Sequence, residues 1–113
     1  MTNRRDLTRT GRNIDMKKKI IELLTKELGY SDYVAEQTAN DLLSINHKLQ
    51  PLLEKWLGTR EIKNFEILGF SIDELMSQRN FTFPSALIAM DWLLTEPEIA
   101  TRELSQKYRK VTV

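Results

Sequence analysis

Few residues in this chain could carry out catalysis. The sequence of 113 residues has one histidine, His47, and no cysteine. One copy of the chain therefore cannot build a two-histidine metal site, a disulfide or a cysteine nucleophile, and the usual nucleophile–base pairs lack a partner. The four glycines are isolated, so they do not form a glycine-rich phosphate loop. His47 lies opposite the apolar stripe of its predicted helix, and we expect its side chain to be exposed.

Carboxylates close in sequence occur at two places, and both have a structural explanation. Asp73 with Glu74, and Glu96 with Glu98, fall in the first turns of predicted helices, where acidic side chains interact favourably with the helix dipole. Asp91 differs because it is the one acidic residue within a strongly apolar helix. A buried carboxylate there would need a partner such as an Arg or the hydroxyl of a Tyr. The alternative is a position on the one solvent-facing edge of that helix. The sequence favours a protein that is not an enzyme and that holds no cofactor.

Composition and length indicate one soluble domain. Hydrophobic residues are 41% and charged residues 29%, which is ordinary for globular proteins, and a chain of this length suits one domain. No apolar run reaches the roughly 18 residues of a membrane-spanning helix. The basic N terminus is not followed by the apolar segment of a secretory signal. We therefore expect a cytoplasmic protein without a membrane partner.

Positive charge is concentrated at the N terminus. The first 19 residues carry seven basic and two acidic side chains, a net charge of +5, while the whole chain is +1, which leaves −4 for the rest. The basic residues are Arg4, Arg5, Arg9, Arg12, Lys17, Lys18 and Lys19. Such a segment can contact nucleic acid or an acidic partner, or fold back onto its own acidic body. We predict a flexible basic arm over residues 1–13 and a helical domain over residues 14–113.

The spacing of apolar residues predicts five or six helices with short connections. The first runs from 16 to 28 with Asp15 as its cap. The second begins after Ser31, and its apolar stripe continues past Pro51 in steps of three and four residues. Proline removes a helical hydrogen bond, so we expect a kink or a break near 48–50. Because the apolar phase continues, a kink is favoured over a reversal of the chain direction. The regular spacing would also suit a coiled-coil dimer, but the short run and mixed core residues favour an intramolecular bundle.

Capping signals mark the remaining helices, which are predicted over 60–68, 72–79, 84–94 and 96–109. Ser71 and Glu74 form a capping box before the second of these helices. Thr95 and Glu98 form another before the last one. Gly29 suits the left-handed residue that ends the first helix of the chain. No alternating pattern predicts a sheet, so the predicted fold class is all-α, a compact single-domain bundle of five to six helices.

Residues 72–93 resemble a helix-turn-helix motif in their spacing. Asn80, which tolerates the left-handed conformation, falls at the turn, and Thr82 lies where a recognition helix often starts. Arg79 occupies a position that is usually apolar in the motif, which counts against it. The face that would meet DNA, however, offers neither positive charge nor the Arg, Lys, Asn or Gln side chains that read bases. That face comprises Thr82, Phe83, Pro84, Leu87, Ile88 and Asp91. We therefore expect no sequence-specific binding by this helix, and the basic arm would make most contacts with nucleic acid.

The helix predicted over 84–94 is apolar nearly all round, so it lies either in the core or against a partner. A chain of this length cannot easily surround a helix on every side, and Trp and Met are enriched at protein interfaces. We predict that Ile88 and Trp92 bind a partner, with Trp56 as a third candidate. The leading hypothesis is a small non-enzymatic protein that binds another protein or a second copy of itself as a homodimer. The alternative is a nucleic-acid-binding regulator that uses the basic arm and a degenerate helix-turn-helix over residues 72–93.

Overall fold

The computed structural model describes the backbone of residues 4–107 and the side chains of residues 15–106. Within that part the chain is all-α, as predicted, with six helices and one two-stranded sheet. In chain order the elements are α1 (Arg4–Leu28), α2 (Asp32–Leu43), α3 (Gln50–Thr59), β1 (Glu66–Ile67), β2 (Phe70–Ser71), α4 (Ile72–Arg79), α5 (Phe83–Thr95) and α6 (Pro97–Lys107). The chain divides into two compact units, Met1–Ser44 and Ile45–Val113.

The first unit contains a pair of packed helices, α1 and α2. α1 begins at Arg4 rather than at residue 16, and the predicted cap Asp15 lies inside it. No proline interrupts this stretch, and its one glycine costs only about 1 kcal/mol in a helix interior. The side chains before Asp15 lie outside the described residues, so the flexible basic arm over residues 1–13 stays a prediction. Gly29 follows α1 with a φ of 73°, which confirms the predicted left-handed helix end.

The stretch on either side of Pro51 forms two helices, so of the two predicted outcomes the structure shows the break and not the kink. α2 ends at Leu43 and α3 begins at Gln50, and the break therefore precedes the proline. Pro51 is the second residue of α3, where a missing N–H costs no helical hydrogen bond. The apolar phase continues because Ile45 and Leu49, within the break, are also buried. The periodic spacing of apolar residues that suggested one helix thus continues through a segment that is not helical.

Side-chain hydrogen bonds explain why the chain leaves the helix at this point. The Ser44 hydroxyl donates to the Asp41 carbonyl oxygen at 3.1 Å, a local bond that competes with helix continuation. Asn46 Oδ1 accepts from the Lys48 N–H at 2.9 Å, and such bonds stabilise turns. Asp91 of α5 accepts from the Asn46 N–H through Oδ1 at 2.8 Å. The break is therefore fixed by hydrogen bonds that involve polar side chains, one of which is far away in sequence.

A β-hairpin occupies part of the helix predicted over residues 60–68, and that predicted helix is wrong. β1 and β2 pair antiparallel, with Ile67 opposite Phe70. The two residues between them, Leu68 and Gly69, have φ values of 54° and 83°, and two consecutive positive φ values are typical of tight two-residue hairpins. Apolar residues spaced by three suggested a helix. The strands, of two residues each, are too short to show the alternation that reveals a strand in sequence.

α5 packs against both α4 and α6 in the second unit. Two helix-end signals before it are confirmed. Ser71 caps α4, because its Oγ accepts from the Glu74 N–H at 3.1 Å, which is one half of the predicted capping box, and Asn80 adopts a left-handed φ of 58°. The second predicted capping box is wrong. Thr95 lies in the last turn of α5, where its hydroxyl donates to the Asp91 carbonyl oxygen at 3.1 Å. α5 thus ends at Thr95, and α6 begins at Pro97. α4 and α6 both contribute residues to a groove along α5.

Candidate functional site

α5 is as apolar as its sequence indicates, but most of it is enclosed. Its buried residues are Phe83, Pro84, Ala86, Leu87, Ala89, Met90 and Leu93. Ile88 and Trp92, one turn apart, are half-buried. The fold therefore buries a larger part of this helix than the length of the chain suggests. It leaves the two predicted partner-binding residues partly accessible.

Ile88 and Trp92 line a groove with a volume of about 500 Å³, which we call the α5 groove. Its apolar wall also includes Phe81 from the turn before α5, Ala89 of α5 and Leu104 of α6. The polar lining residues are Arg79, Asn80, Thr82 and Ser85. None of the lining residues is acidic. The structure therefore brings the two apolar residues predicted from sequence next to a set of hydrogen-bonding groups that the sequence did not reveal.

The indole of Trp92 is held at one end of the α5 groove. Its Nε1–H donates to Glu96 Oε1 at 3.1 Å. Glu96 is exposed and lies in the short connection between α5 and α6, one turn after Trp92. The hydrogen bond restricts the orientation of the ring, and a ring that is already oriented loses less conformational entropy when a partner covers it.

Arg79 also lines the α5 groove and lies in the last turn of α4. Its Nη1 donates to the Leu104 carbonyl oxygen at 3.0 Å, and its guanidinium carbon lies 5.2 Å from the centre of the Phe70 ring, within cation–π distance. Its Nε atom is buried and has no hydrogen-bond partner. No carboxylate among the described residues pairs with this half-buried cation. The sequence signal was a charged residue at a position where the helix-turn-helix pattern is usually apolar.

Two hydroxyl groups line the groove at the start of α5. Thr82 Oγ1 accepts from the Ser85 N–H at 3.3 Å, which caps the helix. The Thr82 hydroxyl donates to Ser85 Oγ at 3.1 Å. The Ser85 hydroxyl donates to none of the described residues, so it can donate to a bound group.

Trp56 belongs to the core rather than to a partner-binding surface. It is 5% exposed, and its ring centre lies 5.1 Å from that of Phe83. Of the residues that the helix-turn-helix alternative places against DNA, Phe83, Pro84 and Leu87 are also buried. These side chains cannot contact base edges while the fold is intact.

The predicted nucleic-acid-binding residues lie partly outside the described residues. This applies to the side chains of Arg4, Arg5, Arg9 and Arg12. Of the described ones, Lys17 pairs with Glu36 at 3.5 Å, while Lys18 and Lys19 are exposed. Binding of nucleic acid by this segment therefore stays a prediction.

Asp91 is half-buried, and its hydrogen-bond partner is a backbone N–H rather than the Arg or Tyr side chain that the sequence suggested for a buried carboxylate. Its carboxylate faces the break before α3, where it accepts from the Asn46 N–H. The need for a donor was predictable from the apolar surroundings, but a backbone N–H has no signature in the sequence. The role of Asp91 is therefore structural.

Other kinds of site find no support in the described part of the chain. His47 is exposed, as predicted. Residues 15–106 include no cluster of three or more His, Asp or Glu side chains suited to a metal ion. Among the described helices, none combines the length and apolar character needed to cross a membrane.

Comparisons with protein-family models, with curated proteins and with solved structures found no match to this chain. Any functional conclusion therefore depends on the α5 groove and its surroundings.

Proposed function

We propose that this chain is a non-enzymatic binding protein that takes up a segment of another polypeptide in the α5 groove. The observation that carries the proposal is the position of Ile88 and Trp92. Both are half-buried, one turn apart on α5, and both line the same groove of about 500 Å³. A groove of this kind can accept apolar side chains from a helical or extended segment.

Two further features support binding of a polypeptide. Tryptophan and arginine are enriched among the residues that contribute most to protein–protein affinity, and the α5 groove contains Trp92 and Arg79. Hydrogen-bond donors of Arg79 and Ser85 lie beside the apolar wall. A small number of polar groups at fixed positions in an apolar site determines the orientation of the bound molecule. The bound segment would therefore be held by apolar burial and oriented by hydrogen bonds.

The proposal is tested by selecting peptides from a displayed random library on the immobilised full-length chain. The affinity of the selected peptides is then measured by calorimetric titration. We expect Ile88→Ser to weaken their binding by about tenfold or more, because an apolar contact at the centre of an interface is worth more than about 1 kcal/mol. Ile99→Ser is the matched control: Ile99 is 43% exposed, lies on α6 and does not line the α5 groove.

The double variant Ile88→Ser, Trp92→Ser should lose binding while its helical circular dichroism stays that of the wild type. Selected peptides that bind this variant as well as the wild type would contradict the proposal. If the double variant unfolds instead, these residues belong to the core, and the groove is not a binding surface.

A second copy of the chain is the other partner that the sequence suggests. Sedimentation velocity distinguishes the two partners. A homodimer that dissociates in Ile88→Ser and persists in Ile99→Ser would make the bound polypeptide this chain itself.

A further inference from the structure

We propose that the polypeptide segment bound in the α5 groove has a charge order: an acidic residue, a central apolar side chain, then a basic residue. The acidic residue faces Arg79 and the basic residue faces Glu96. This inference depends on the proposed function and adds the chemistry of the partner to it.

The end of the groove next to α4 is positive and lacks a counter-charge. Arg79 is half-buried. Among the described residues its hydrogen bond is to a neutral carbonyl, and its buried Nε has no partner there. A cation that is partly removed from water is favoured by a nearby anion. The lining itself supplies none, because it contains no Asp or Glu.

The hydroxyl at the same end of α5 favours the same kind of ligand. Ser85 lines the groove and its hydroxyl donates to none of the described residues. A carboxylate is an acceptor on both of its oxygens. Arg79 and Ser85 both line the groove, so we expect a carboxylate bound at this end to accept from one or both of them.

A negative side chain, Glu96, lies next to the Trp92 end of the groove, outside its lining residues. Glu96 is exposed, and one of its oxygens accepts from the Trp92 indole. Among the described residues its carboxylate forms no ion pair. A basic side chain in the partner can therefore approach Glu96 without displacing an existing pair.

The two ends are separated by the apolar part of the groove. Ser85 and Trp92 are seven residues apart on one helix, which is about 10 Å along its axis, and Ile88 lies between them. An extended segment covers that distance with about three residues, and a helical segment with about two turns. The distance suits a polypeptide with three separate side-chain contacts, and it is this polypeptide that we propose as the occupant.

The test uses a displayed peptide library with one fixed leucine and random flanking positions, selected on the full-length chain. Peptides that bind the wild type and fail to bind Ile88→Ser should carry an acidic residue on one side of the leucine and a basic residue on the other. In a synthetic peptide of that sequence, replacing the acid by its amide should weaken binding by about tenfold, since a hydrogen bond to a charged group is lost. Neutralising the base should weaken it by only a few fold, because Glu96 is exposed.

Variants of the chain assign each charge to its end of the groove. Arg79→Gln should remove the preference for the acid, and Glu96→Gln should remove the preference for the base while keeping an oxygen for the Trp92 indole. The matched controls are Arg102→Gln and Glu98→Gln, which change exposed residues of α6 outside the α5 groove. If Arg79→Gln does not fold, the amide peptides measured on the wild-type chain decide the question.

Each outcome is informative. Peptides that need Ile88 but show no charge preference, or carry one sign on both sides, would overturn the charge order and leave the proposed function standing. Absence of any peptide that depends on Ile88 would overturn the proposed function itself.

Discussion

Two half-buried charged side chains, Arg79 and Asp91, each bond to a backbone group of a distant segment. Arg79 donates to the carbonyl of Leu104, and Asp91 accepts from the N–H of Asn46. The sequence marks both positions, because a charge interrupts an apolar pattern at each. It does not reveal either partner, because every residue except proline has the same backbone donor and every residue has the same acceptor. The residue types thus predicted that each of these charges needs a hydrogen-bond partner. Only the fold showed which backbone group that partner is.

Asp91→Ala should lower the free energy of unfolding by about 1–3 kcal/mol, because the Asn46 N–H loses its acceptor in a partly buried place. Chemical denaturation followed by circular dichroism measures the change. Asp41→Ala is the control, since Asp41 is exposed and no side-chain bond of its carboxylate is found among the described residues. Equal losses in the two variants would mean that the hydrogen bond contributes nothing specific.

At the scale of elements, the sequence predicts helix ends better than helix continuity. Gly29, Ser71 and Asn80 act as predicted, because each signal depends on bonds or backbone angles within a few residues. The break between α2 and α3 depends on Asp91, which lies 45 positions from Asn46, and no local pattern contains that bond. The groove was predictable only through Ile88 and Trp92, since Arg79 and Leu104 join it through the packing of α4 and α6 against α5.

Pro51→Ala should leave the break between α2 and α3 in place. The proline occupies the first turn of α3, and the bonds that end α2 lie upstream of it, so the free energy of unfolding should change by less than about 1 kcal/mol. Backbone chemical shifts of residues 44–49 check this prediction. Helical shifts across that segment in the variant would show that the proline, rather than Ser44 and Asn46, ends the helix.

Leu68→Asn should stabilise the hairpin. Leu68 is 53% exposed and has a φ of 54°, a left-handed conformation that costs most side chains about 1 kcal/mol or more, whereas Asn followed by Gly is preferred in such turns. The expected gain is about 1 kcal/mol, measured by thermal and chemical denaturation. Ile62→Asn serves for comparison, because Ile62 is 40% exposed without a positive φ. A similar gain there would point to a general effect of polarity.

At the scale of the whole molecule, the charge and the groove belong to different parts of the chain. The predicted basic arm precedes α2, and every lining residue of the α5 groove lies between 79 and 104 in the second unit. The two hypotheses for function therefore concern separable segments. The positions of charged residues in the sequence were enough to predict the uneven charge. They could not show where an apolar surface stays accessible.

Deletion of residues 1–13 should separate the two hypotheses. We expect peptide affinity to be unchanged, and any affinity for a labelled random DNA duplex to be lost. For the full-length chain, the logarithm of duplex affinity should fall with the logarithm of salt concentration by about 0.9 for each phosphate neutralised. An Ile88→Ser variant that no longer binds the duplex would show that the groove itself contacts nucleic acid. A truncated chain that still binds it would assign the contacts to residues after 13, among them Lys17, Lys18 and Lys19.

The two tryptophans have opposite surroundings, and this has a spectroscopic consequence. Trp56 is enclosed beside Phe83, so its emission should be blue-shifted and resistant to iodide quenching. Trp92 is partly accessible in the groove, so its emission should lie at longer wavelength and be quenched readily. A bound segment would protect Trp92 and leave Trp56 unchanged, whereas unfolding would expose both. Intrinsic fluorescence therefore reports occupancy of the groove and integrity of the fold as two separate signals.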